Sequence, residues 1–206
     1  VVRLGEIRGR ITKGTTPTAL KRPFVECGIS FVKAESMAGD GGFIPEKFAF
    51  IDDETHELLR RSQLQHGDVL ISIAGTIGRI AVMSDDFLPA NTNQAVALIR
   101  PISRVFPSGL INRFFRLSET QQKMREKVVQ AVQANLSLGI LSDLMVVIPS
   151  ESVVGKLYES GLAQIDASWV ANDRQVRTLS ILRDTLLPRL ISGQLSLHDL
   201  SREVVL

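Results

Sequence analysis

One stretch near the C-terminus, residues 153–192, constrains the fold more than any other. Read as a helix, it puts Leu162, Ile165, Trp169, Asn172, Val176, Leu179, Arg183 and Leu186 on one line, in steps that alternate three and four residues. That is the spacing of a coiled-coil seam. Roughly 40 residues at about 1.5 Å each make a rod of about 60 Å, longer than a compact domain of this size requires. An apolar seam of that length needs a partner, either the rest of the chain or another helix, and the rhythm favours another helix. Asn172 lies among apolar neighbours, where a polar residue lowers stability but selects register. Pro188 is expected to kink or end the helix, and Gly193 to cap it.

The chain has 206 residues, 44% of them hydrophobic, enough for one core of ordinary size and short for two. The expected organisation is a globular domain over residues 1–150, the long helix over 151–193 and a tail over 194–206. GDVLISIAGTIGRIAVM, residues 67–83, carries two β-branched runs around Gly75-Thr76-Ile77-Gly78 and predicts a β-hairpin. Those four residues also match the GxxG of KH domains, but KH loops join helices, and here both flanks are strand-like. Strands are also predicted at 28–32, 47–51, 94–100 and 145–148. Helices are predicted at 54–60 with Asp52 or Asp53 as cap, at 110–132 with a break near Leu117-Ser118, and after Ser137 as cap. Residues 85–93 read as a loop. The fold class is α+β.

The net charge of +2 does not by itself argue for nucleic acid, but its distribution is uneven. Residues 1–34 hold seven basic side chains against two acids, and residues 100–127 again seven against two, with an acidic segment between them. Such segregation can build a basic face. Cys27 is the single cysteine, so no disulfide can form within one chain, which suits a reducing cytosol. No signal peptide and no membrane-spanning run appears. The chain begins with valine, so it reads as processed, trimmed or a fragment of something longer. His56, His66 and His198 lie far apart with no cysteine at ligand spacing, which argues against zinc. There is no P-loop, no GxGxxG after a strand, no Gly-x-Ser-x-Gly elbow and no methyltransferase tetrapeptide. The expectation is a chain that catalyses nothing itself.

Four stretches carry a family likeness: LGEI followed by KGTTPT, residues 4–18; GDVLISIAGTIGRIAV followed by NTNQAVALIRP, residues 67–101; QANLSLGILSDLMVVIP, residues 133–149; and LRDTLLPRLISGQLSL, residues 182–197. In that order they resemble the DNA-specificity subunit of type I restriction–modification enzymes, over nearly the whole chain. The resemblance implies a target-recognition domain followed by a long helix that pairs as an antiparallel coiled coil and acts as a spacer. It implies a cytoplasmic, non-catalytic subunit that reads one half of a bipartite DNA target. It also implies docking of methyltransferase subunits, which use S-adenosylmethionine, and of a restriction subunit, which uses ATP, with no cofactor in this chain. The family normally carries two recognition domains and two long helices, whereas this chain has one of each. It is therefore either a half-subunit that forms a homodimer or part of a longer subunit. The rival readings are a coiled-coil interaction module with no DNA role, the recognition part of another DNA methyltransferase, and a small methyltransferase with an unrecognised cofactor motif.

Phosphates are held by Lys and Arg, and base edges are read by Arg, Lys, Asn, Gln, Ser and Thr. Three polar loops supply both kinds. The first offers Lys13, Thr15, Thr16, Lys21 and Arg22. The second offers Thr76 and Arg79 at the hairpin, with Asn91, Asn93 and Gln94 after it. The third offers Gln130, Gln133 and Asn135. The bland alternative is that the asparagines shape turns and Gln94 merely faces solvent.

Overall fold

ISFV, VLIS and VALIRP are apolar at consecutive positions instead of alternating, the pattern of strands covered on both faces. The structure, a computed structural model, describes residues 1–101, 107–129 and 135–195. The chain divides between Gly155 and Lys156 into two units.

The first unit opens with β1 (Val2–Arg3), a 3-10 turn and β2 (Arg8–Lys13). A 3-10 turn at Pro17–Leu20 leads to β3 (Ile29–Val32), β4 (Ala49–Ile51) and α1 (Asp53–Leu58). The hairpin strands β5 (Val69–Ser72) and β6 (Ile80–Val82) follow, then β7 (Ala90–Thr92) and β8 (Val96–Pro101). The unit continues with α2 (Ser108–Arg116), α3 (Ser118–Val129), α4 (Leu138–Asp143) and β9 (Met145–Val146). Next come α5 (Glu151–Leu157), a π-turn at Tyr158–Leu162 and α6 (Ala163–Ile191). Among the described residues three sheets result. β2, β8, β5 and β6 form a four-stranded antiparallel sheet in that order. β4, β3 and β7 form a second, with β3 and β7 parallel. β1 pairs with β9 and so ties the start of the unit to its end.

Alternation along the four-stranded sheet divides the core. Val69, Ile71, Ile80, Ala97 and Ile99 face one side, where Ile111, Phe115 and Met124 of α2 and α3 cover them. Leu70, Ala81, Val96 and Leu98 face the other, packed with Val32, Met37, Phe43, Leu64 and Met83. Phe43, Phe48 and Phe87 close that side edge to face, with centroids 5.1–6.0 Å apart. Asp68 is fully buried and holds Arg100 through two bonds of 2.7 Å. Every buried side-chain polar atom among the described residues has a partner.

Most predicted elements are present, and Asp52 and Ser137 cap α1 and α4 through bonds from Thr55 N–H at 2.7 Å and Ile140 N–H at 3.1 Å. Residues 85–93 are not only loop: β7 lies within them, stabilised by its parallel pairing with β3. The long C-terminal helix is present, with one break in it. Gly161 adopts φ +113°, outside helical space, so the helix is interrupted there. What remains uninterrupted is α6, 29 residues and about 44 Å at ~1.5 Å per residue. Pro188 does not end α6, which runs on to Ile191. Proline forfeits the bond to the Asp184 carbonyl, and the helix continues for less than one further turn. Gly193 N–H bonds back to the Leu190 carbonyl at 3.2 Å, as a cap does. No described helix is long and apolar enough to cross a membrane.

Candidate nucleic-acid interface

Strand pairing decides which loops meet. Lys13 at the end of β2 stands opposite Ala97, and Ser72 at the end of β5 stands opposite Val96. The end of β2, the start of β8 and the β5–β6 turn therefore share one end of the large sheet. Backbone bonds fasten them. Gly14 N–H donates to the Asn93 carbonyl at 3.0 Å, Ile73 N–H to Ala95 at 2.8 Å, and Leu136 N–H to Ile73 at 2.9 Å. β3 and β7 are parallel with Val32 opposite Thr92, which brings Lys33 to the same end.

This end collects Lys13, Thr15, Thr16, Thr76, Arg79, Asn93, Gln94 and Asn135 from the three loops. Lys13, Thr15, Thr76, Gln94 and Asn135 are exposed. Gln94 joins two loops: its Oε1 accepts the Thr16 backbone N–H at 3.1 Å and the Thr16 hydroxyl. Asn93 Oδ1 turns inward to accept Ala95 N–H at 3.1 Å. Arg79 is half-buried and donates to the Met37 carbonyl at 2.8 Å, so it braces the next loop more than it faces solvent. The hairpin turn is clipped from behind by Gln121 of α3, whose Nε2 donates to Gly78 at 3.0 Å and to Phe115 at 2.8 Å.

The close approach at Gly14 leaves no room for a side chain. A Cβ there would lie 1.7 Å from the Thr92 carbonyl oxygen. Gly14→Ala is expected to lower stability by about 1–3 kcal/mol through forced backbone displacement. Urea unfolding measures this, and an unchanged midpoint would contradict the tight fit.

Other candidates are placed elsewhere. Asn91 is 0% exposed. Its Nδ2 donates to the Leu59 carbonyl at 3.1 Å and to Ser62 at 3.2 Å, and its Oδ1 accepts from His56 Nδ1. It is a core residue of β7, not a base reader. Arg22 docks on the N-terminal turn of α1, bonding Glu54 and Thr55, the latter at 3.1 Å, and pairing with the Asp52 carboxylate at 3.7 Å. The bond to Glu54 holds its guanidinium above its ordinary pKa. β4 runs antiparallel to β3, so α1 and the Lys21–Arg22 corner sit at the other end of the small sheet from Lys33. Gln130 and Gln133 lie outside the described residues. Lys33 was not among the sequence candidates. It pairs with Glu35 at 2.9 Å, which holds the Glu35 carboxyl below its usual range. The signal available was a lysine directly after the ISFV strand, but only the parallel pairing places it.

No family model matches the chain. The HindI specificity subunit of Haemophilus influenzae, a type I restriction enzyme component, is 22% identical over 192 residues, covering 91% of this chain and 40% of that protein. The crystal structure of an HsdS subunit from Thermoanaerobacter tengcongensis matches with a TM-score of 0.53 at 21% identity, covering 94% of this chain and 45% of that one. The type I restriction–modification S subunit of M. genitalium matches with a TM-score of 0.58 at 17% identity, covering 90% and 44%. The chain has the fold of a type I specificity subunit. It spans less than half the length of the specificity subunits it matches.

Proposed function

We propose that this chain is the DNA-specificity component of a type I restriction–modification complex and reads one half of a bipartite target. The observation that carries the reading is the convergence of two polar loops and Asn135 at one end of the sheet, on a fold shared with specificity subunits. Exposed hydroxyl, amide and ammonium groups stand there over a rigid base of paired strands, which suits groove reading. In this reading Lys13 and Lys33 meet phosphates, while Thr15, Thr76, Gln94 and Asn135 reach base edges. The chain is non-catalytic and cytoplasmic. It docks methyltransferase subunits and, where the system has one, a restriction subunit, so S-adenosylmethionine and ATP belong to those partners. Two copies joined through α6 would place two identical readers on a two-fold axis, and the target is then an interrupted palindrome.

Selection from a random duplex pool, with the methyltransferase subunit present, tests the reading. Enrichment of one split motif supports it, and no enrichment overturns it. An asymmetric motif would remove the homodimer but keep the half-site reader. Lys13→Ala is expected to weaken binding about equally on all sequences and to reduce the slope of log K against log salt by about one. An unchanged slope removes Lys13 from the phosphate contacts.

A further inference from the structure

Two consecutive amides at this end have their oxygens turned inward. The backbone N–H of Thr16, which can only donate, lies 3.1 Å from the Gln94 oxygen and so fixes which end of the amide is Oε1. The Thr16 hydroxyl takes the second lone pair. Asn93 behaves likewise, with Oδ1 on Ala95 N–H at 3.1 Å. Gln94 is exposed, and among the described residues nothing bonds its Nε2 hydrogens. An ordinary Gln reads adenine with both ends of the amide, donating to N7 and accepting from N6. Here the accepting end is saturated.

We propose that Gln94 is a donor-only reader that prefers a keto base, guanine first, over adenine. This rests on the half-site reading above. In the major groove guanine presents N7 and O6, two adjacent acceptors that match the two amide hydrogens. Thymine presents O4 alone. Adenine offers N7 to one amide hydrogen but sets its N6 amino group against the other, and cytosine presents only an amino group. The Thr16–Gln94 clip also removes the rotameric freedom that would let the amide turn over.

The same pool selection, run on the full chain with its methyltransferase subunit, compares wild type, Gln94→Glu and Thr16→Ala. Wild type should enrich guanine, with thymine second, at one position of each half-site. Gln94→Glu keeps an acceptor for Thr16 N–H but offers the base a carboxylate, so that position should switch to cytosine or adenine. The switch should amount to roughly ten- to hundredfold in relative affinity, the usual worth of a good base contact. Thr16→Ala frees a lone pair on Oε1, and adenine should become accepted there while other positions stay unchanged. Both residues lie at the surface, and matching melting curves confirm that the variants fold. A wild-type motif that Gln94→Glu leaves unaltered overturns the proposal but not the half-site reading. A uniform loss across all sequences makes Gln94 a phosphate contact and also overturns it. No enrichment by wild type removes the half-site reading and this proposal together.

Discussion

Asp68→Ala is expected to destabilise the first unit by about 3–5 kcal/mol, the usual cost of leaving a buried charge without its partner. Asp68 has no exposed surface and accepts three bonds of 2.7 Å, from Arg100 Nε, from the second Arg100 amino group and from Gln65 N–H. Arg100 also donates to the Gln63 carbonyl at 3.0 Å. One carboxylate therefore joins β8 to the loop that enters β5. Alanine would orphan a guanidinium that is itself largely covered and free two backbone segments from each other. For a unit of this size the melting temperature should fall on the order of 10 °C. Added salt should change the loss little, because a buried pair is poorly screened. A double variant, Asp68→Leu with Arg100→Met, should recover most of the stability, since replacing a buried pair with apolar groups is often neutral. A loss below about 1 kcal/mol for Asp68→Ala would contradict the assigned role.

In the proposed pairing through α6, Val176→Asp with Leu179→Asp is expected to lower the mass seen by light scattering from that of a dimer to that of the 22.7 kDa chain. On α6, Ile165 and Val176 are each 62% exposed and Leu179 is 56% exposed. With about 100° between residues, these three, Trp169, Asn172, Arg183 and Leu186 stay within one stripe, while Ile181 falls on the far side. Burying each aliphatic side chain gives about 1.5–3 kcal/mol. Several together reach the order of 10 kcal/mol, enough to rival the 4–15 kcal/mol that association costs. Two aspartates would have to be desolvated in that seam, which reverses the balance. Asn172→Leu should tighten the pair and loosen its register. A wild-type mass of 22.7 kDa at micromolar concentration would instead mean that the stripe does not pair between identical chains.

Local signals made much of this fold legible. The hairpin follows from two β-branched runs about a glycine turn, α1 and α4 from their capping residues, and the break between α2 and α3 from Leu117-Ser118. These elements depend on interactions within a few residues, which sequence spacing encodes. The α6 stripe was readable for the same reason, because helical periodicity is local. Gly161 was equally visible, but a glycine in a helical pattern is tolerated as often as it breaks one. Its φ of +113° is seen only in the structure.

The candidate site was only partly legible. Loop composition singled out Lys13, Thr15, Thr16, Thr76, Gln94 and Asn135, and the strand pairing brings them to one end. Asn91 and Arg22 have the same chemistry in the sequence but a different fate. Asn91 became a buried strand residue only because β7 pairs with β3, 60 positions away through Thr92 and Val32. Arg22 is held at the start of α1 by Asp52, Glu54 and Thr55, at least 30 residues downstream. By itself the sequence determined the element types, the caps and the apolar stripe of α6, because those rest on periodicity and local bonding. Only the tertiary structure decided which polar side chains remain free, because each one's hydrogen-bond partners are assigned by strand order and register, which no local spacing records.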